Sequence, residues 1–150
     1  MKKRNKGILF LGGAALYYWV LRGIRGVSVA FKGLRVISVV DDTIRFSVQL
    51  FIHNPLLISV LVNDIIGTIY IMNIPVAEVD FPLNQRIQSR SVSPVTINFN
   101  VSREMLGEAM YQNIMTGDIR TLLVRFTGYL KAANVRVNVN KQFTFEDLVV

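Results

Sequence analysis

Beyond residue 26, apolar and polar positions alternate with period two, the pattern of half-buried β-strands. Val27, Val29 and Phe31 alternate with Ser28, Ala30 and Lys32 until Gly33 interrupts, and Leu34 to Val40 continues extended to a polar turn at Asp41-Asp42. Ile44, Phe46, Val48, Leu50 and Ile52 then alternate with Arg45, Ser47, Gln49, Phe51 and His53, the clearest strand of the chain, which stops at Asn54-Pro55. Leu57 to Val62 reads as a short strand ending at Asn63-Asp64, and Ile65 to Met72 as a second ending in the turn Asn73-Ile74-Pro75. Val76 to Phe81 is a third, and the polar stretch Leu83 to Ser91 reads as a loop or irregular edge. Pro94 fits a strand start or an edge, because proline brings no N–H to a ladder. Val95, Ile97, Phe99 and Val101 alternate again, and so do Leu122, Val124 and Phe126 to Leu130. A last strand, Val135 to Val139, follows Ala132-Ala133-Asn134, and Phe143 and Phe145 close the pattern.

One segment changes period. Ser102 can cap a helix near 103–115, with Glu104 in its first turn and Met105, Leu106, Ala109, Met110 and Ile114 on one stripe. The expected fold is mainly β: an antiparallel β-sandwich of the fibronectin or immunoglobulin kind with one helix, preceded by a hydrophobic amino-terminal helix.

That first segment follows a different rule. A basic cap, Met1 to Lys6, leads into fifteen uncharged residues, Gly7 to Leu21, whose apolar body is Ile8, Leu9, Phe10, Leu11, Leu16, Tyr17, Tyr18, Trp19, Val20 and Leu21. As a helix they reach only ~22 Å, short of a ~30 Å hydrocarbon core. Counting through Ile24, with Arg22 snorkelling, extends the span to roughly 27 Å and places Tyr17, Tyr18 and Trp19 as an interfacial aromatic belt. Three readings stay open: a membrane anchor, a cleaved signal peptide with its small residues near Gly13 and Ala15, or a segment buried among other subunits of an assembly. The denser basic cluster at the start favours an inside amino terminus, with the domain outside the cytoplasm. The chain thus divides into a cap and anchor over 1–25 and a sandwich domain over 26–150.

Charge follows the same division. The net charge is +7, yet residues 1–40 hold eight basic groups and no acid, while residues 41–150 hold nine basic and ten acidic groups. The body is nearly neutral, so no specific nucleic-acid partner is expected. With 51% hydrophobic residues, the chain can bury enough surface to fold. Zero cysteines exclude disulfides, thiolate metal sites and a thiol nucleophile, and one histidine excludes multi-histidine metal sites.

The order of these motifs resembles the type-2 late embryogenesis abundant family, the water-stress-and-hypersensitive-response domain, over about residues 34–146. The resemblance rests on a strand running into Asn54-Pro55, the turn within Tyr70 to Ala77, Ser91-Val92-Ser93-Pro94 before a strand, one helix, and a later strand containing Gly128. It implies a small β-sandwich that is not an enzyme, associated with stress and desiccation tolerance, with an anchor helix before the domain in several members. The chain departs from the usual stress protein in being very apolar and in lacking a lipoprotein cysteine.

Candidate chemistry is sparse. His53 has no histidine or cysteine partner for metal or proton transfer, and Asn54 with Pro55 reads as a structural stop. The carboxylates Asp41-Asp42, Glu78 with Asp80, Glu104 with Glu108, and Glu146-Asp147 sit in turns or on surfaces, without calcium-loop spacing. No catalytic residue, metal or cofactor is expected. Arg45, Arg125 and Arg136 with Tyr129 and Phe51 can form a basic, aromatic outer face, and Phe51, Leu61, Ile69 and Ile71 an excess of apolar outer positions. The expected partners are membrane lipid or other protein subunits, a homo-oligomer included. The expected role is binding or structural: a membrane-held stress protein, or alternatively a shell or membrane component of a virion.

Overall fold

A computed structural model describes residue 24, residues 26–117 and residues 119–145, with Arg120 described in its backbone alone. The hydrophobic amino-terminal segment, Ile8 to Leu21 included, lies outside the described residues, as do Glu146 and Asp147.

The strands are β1 (Ser28–Val40), β2 (Thr43–Asn54), β3 (Val60–Ile71), β4 (Ile74–Ile87), β5 (Ser91–Ser102), β6 (Leu123–Ala132) and β7 (Val135–Thr144). They form two antiparallel sheets, ordered β1-β2-β5 and β4-β3-β6-β7. Between β5 and β6 lie α1 (Arg103–Leu106), α2 (Glu108–Thr116) and a 3-10 turn (Ile119–Thr121). β2 shows why a sheet forms here: every second residue from Ile44 to Asn54 is buried, and the strand pairs with β5 without a break. Phe31 on β1 reaches across to Phe126 (ring centroids 5.3 Å apart) and stacks on Phe143 at 4.7 Å, joining the two sheets through one core. Each fully buried side chain such as Phe46 or Leu50 stabilises by about 1.5–3 kcal/mol.

Three hairpins turn on two residues that both have positive φ: Asp41-Asp42, Met72-Asn73 and Ala133-Asn134. That is the requirement of a type I′ turn, whose twist matches the flanking strands. The second turn therefore sits one residue earlier than expected, and Ile74 and Pro75 already belong to β4.

Two expected short strands merge in β3. Between Val62 and Asp64 the register shifts against both neighbours, with one extra residue on β3 against β6 and one on β4 against β3. Val60 and Val62 face inward before the shift and Ile65, Ile69 and Ile71 after it. Ile69 and Ile71, outer by uninterrupted alternation, are therefore core residues, whereas Phe51 and Leu61 are half-buried. Of the two readings of the polar stretch from Leu83, the irregular edge holds: it continues β4 to Ile87 along a sheet edge, where Pro75 and Pro82 cost few ladder bonds. Pro94 also lies on an edge strand, β5.

The expected single helix is two. Ser102 caps as read, its Oγ accepting from Met105 N–H at 3.2 Å, but Gly107 at φ 82° breaks the helix after one turn. Leu106, Tyr111 and Ile114 are buried, while Met105 and Ala109, assigned to the buried stripe, are exposed.

Candidate functional site

β2 ends where β1 begins and where β5 begins: Ser28 pairs with His53, His53 with Val92, and Asn54 with Ser91. This end of the sandwich is built around Asn54, a fully buried polar residue. Pro55 brings no N–H, so the next one, of Leu56, donates to Asn54 Oδ1 at 3.0 Å, an Asx turn. The Asn54 amide donates to the carbonyls of Ile58 (2.9 Å), Ile87 (3.1 Å) and Gln88 (3.0 Å). One side chain thereby ties the end of β2, the connection into β3 and the turn from β4 to β5. Arg90 N–H closes the same corner by donating to Leu56 O at 3.0 Å.

Held on this frame, the connection presents Leu57 at 74% exposure and Ile58 at 53%, and Val92, opposite His53 at the same end of the sheet, is 55% exposed. The expected strand over Leu57 to Val62 starts only at Val60, and the shortfall leaves those two aliphatic side chains outside any sheet. A signal was available: Leu56-Leu57-Ile58 is a consecutive apolar run directly after proline, which cannot alternate. Basic residues lie toward the same end of the sandwich. Arg86 donates to Ser59 Oγ at 3.2 Å, Arg90 is exposed in its turn, and Lys131 and Arg136 pair across the last hairpin. His53 is exposed and Pro55 is exposed. The chain enters at the same end: Ile24 and Val27 are buried in the core, and Val27 N–H donates to Ile24 O at 3.0 Å.

The opposite end carries a polar cleft of about 490 Å³ lined by Asp41, Asp42, Thr43, Ser102, Arg103, Glu104, Gly107 and Glu108. Its charges face one another. Arg103 donates from Nε to Glu108 at 2.7 Å and from Nη1 to Asp42 at 3.4 Å, and its guanidinium lies over Tyr111. The hydrogen bonds from Arg103, then from Gln112, lower the Glu108 carboxyl from 4.5 to about 2, and Arg103 is held above its usual range by the same bond. Arg103, which carries no motif in the sequence, is thus the organiser of this cleft. Among the described residues, no three His, Asp or Glu side chains converge as metal ligands do.

A depressed carboxyl stabilises the fold above its unfolded value and loses that contribution as pH falls through the folded one. Glu108→Gln should therefore differ from the parent most at neutral pH, and the small difference should close between pH 4.5 and about 2. Urea midpoints measured across that range check it; a constant gap would mean that ionisation of Glu108 is not its source.

The expected basic and aromatic face divides between the two sheets. Arg125 stacks over Tyr70 (4.5 Å) and Arg136 over Tyr129 (4.4 Å) on the four-stranded sheet. Arg45 and Phe51 belong to β2, in the other sheet, so the five residues share no surface.

Comparison with solved structures shows the fold. A crystal structure of a protein from Archaeoglobus fulgidus matches with a TM-score of 0.51 and 14% identity, covering 81% of this chain and 99% of that one. The solution structure of an Arabidopsis thaliana protein matches with a TM-score of 0.62 and 13% identity, covering 81% and 83%. A further structure, only provisionally described as a late embryogenesis abundant (LEA) protein, has a TM-score of 0.48 at 10% identity, covering 91% and 87%, a likeness too distant to carry an argument. No protein-family model and no curated protein matches the sequence.

Proposed function

We propose that the chain is a non-enzymatic, membrane-anchored β-sandwich with a binding or structural role, of fibronectin or immunoglobulin type and of the type-2 late embryogenesis abundant kind. The observation that carries this reading is the junction at Ile24. Ile24 and Val27 are packed in the core, so the uncharged run 7–21 is separated from a folded domain by two residues, Arg22 and Gly23. Ile24 therefore belongs to the domain and not to the span expected to run through it, which leaves the run 7–21, about 22 Å as a helix. An apolar segment joined so closely to a folded domain suits holding that domain at a surface. The Asn54-Pro55 corner and the likeness to the Arabidopsis and Archaeoglobus folds support the sandwich part of the reading. The polar cleft at the far end supports the non-enzymatic part, because its arginine is committed to Glu108 and Asp42. On this reading the domain lies outside the cytoplasm, its partners are lipid or other subunits, and the family resemblance adds a role in stress tolerance.

Deleting residues 1–22 tests the anchor while keeping Ile24 in the core. The full chain should float with membranes after alkaline washing, and the deleted chain should stay soluble with a similar melting temperature. Sedimentation of the full chain in lipid-free protein particles would overturn the anchor and favour a component of an assembly such as a virion shell.

A further inference from the structure

We propose that the tip formed by Leu57, Ile58 and Val92 is a lipid-contacting surface that seats in the headgroup layer of an anionic bilayer. The proposal rests on the anchor reading and deepens it, since it gives the sandwich its own contact with the membrane and fixes which end faces it.

Three observations converge. The first is chemical: three large aliphatic side chains stand half or more exposed at one corner, and two of them occupy a connection where polar turn residues normally sit. They are not a floppy excursion, because Asn54 bonds both flanks of the loop through Leu56 N–H and Ile58 O. The second is continuity. The uncharged run ends at Leu21, three residues before buried Ile24, so it joins the domain within about 10 Å of extended chain. β1 then enters beside the tip, Ser28 opposite His53 and His53 opposite Val92. A segment in lipid at that distance brings this end of the sandwich to the bilayer surface.

The third is charge. Arg86, Arg90, Lys131 and Arg136 lie at the tip end, with Asp64 on the neighbouring stretch of β3, and Arg22 and Arg25 flank the junction in sequence. At the far end Asp41, Asp42, Glu104 and Glu108 offset Arg45, Arg103 and Arg125. An excess of basic residues at the end that carries the apolar tip, with Lys131 opposite Asp64 and Arg136 over Tyr129, fits anionic headgroups, which attract juxtamembrane lysine and arginine. Three side chains also offer far less area than the ~1,200 Å² of a stable protein interface, which argues for lipid over a second copy of the chain.

The chain has no cysteine, so single labels can be placed without background. Leu57→Cys, Val92→Cys, Val40→Cys at the far end and Leu16→Cys in the leader would each carry a nitroxide on the full chain. The chain is reconstituted in vesicles of phosphatidylcholine with phosphatidylglycerol, and each label's access to oxygen and to a water-soluble nickel chelate is measured. Melting temperatures confirm folding; positions 57, 92 and 40 are all exposed, so folding should persist. The expected result is oxygen-rich, nickel-poor access at 57 and 92 and the reverse at 40, with a shallower depth in pure phosphatidylcholine. Labels at 57 and 92 in open water while 16 is in lipid would overturn the tip contact and leave the anchor standing. Label 16 in water with 57 in lipid would overturn the anchor and uphold the tip. Labels at 57 and 92 shielded from both reagents would overturn lipid as the occupant and assign the tip to protein. Equal depth in both lipid mixtures would overturn the anionic preference.

Discussion

Replacing Asn54 with alanine is expected to lower the stability of the sandwich by roughly 3–5 kcal/mol, at the upper end of single-substitution effects. The substitution removes the N–H acceptor for Leu56 and the donor for three carbonyls, those of Ile58, Ile87 and Gln88, at a site with no exposure to water. For a body of this size the loss corresponds to about 10–20 °C in melting temperature. His53→Ala, one residue away on the exposed face, should stay within about 0.5 kcal/mol. Asn54→Asp separates hydrogen bonding from shape. It keeps the volume but turns a carboxylate toward three carbonyl oxygens, so it should be at least as damaging as alanine at neutral pH. Protonation relieves that repulsion, which raises the folded-state pKa of the new acid; stability should then recover as pH falls. Thermal and denaturant unfolding of the three variants measure this. An Asn54→Ala protein as stable as the parent would remove the structural account of the corner.

The corner was legible in the sequence because asparagine before proline at the end of an alternating strand has a local mechanism. The partners of the amide were not, since Ile87 and Gln88 lie more than thirty residues away. Alternation located β2 almost to the residue, because nothing interrupts its register with β5. It failed where the backbone inserts a residue. The bulge at Asn63 exchanges the faces of β3, so Ile69 and Ile71 read as outer when they are core. The bulge near Gly33 does the same to β1, moving the inward phase from Val29 to Leu34. A polar composition leaves loop and irregular edge both open for the second half of β4, because an edge strand can be solvated along its length and still pair on one side. The tip at Leu57 and Ile58 was missed for a related reason. The apolar run reads as the start of a strand, although the Asn54 corner holds those side chains outside the sheets.

The largest expected effect belongs to the centre of the four-stranded sheet, where Gly67 on β3 faces Gly128 on β6. A Cβ on Gly128 would stand 2.1 Å from Ile66 O and 2.5 Å from Gly67 Cα, and these are backbone atoms that no rotamer change can move. A Cβ on Gly67 would meet the Phe126 ring at 2.6 Å and Thr127 O at the same distance. β3 and β6 are both interior strands, tied on their other sides to β4 and β7, so neither can move away without breaking a second ladder. Gly128→Ala should therefore cost more than about 4 kcal/mol and leave little folded protein at ambient temperature. Gly107→Ala is the informative contrast. Its Cβ would meet nothing within 4 Å, and the strain lies only in φ 82°, a conformation costing about 1–3 kcal/mol for other residues. If close approach of the two central strands dominates, soluble yield and unfolding midpoint should fall far more for Gly128→Ala than for Gly107→Ala. Equal losses would mean that the contact between β3 and β6 yields readily and does not make Gly128 more demanding than a strained turn position.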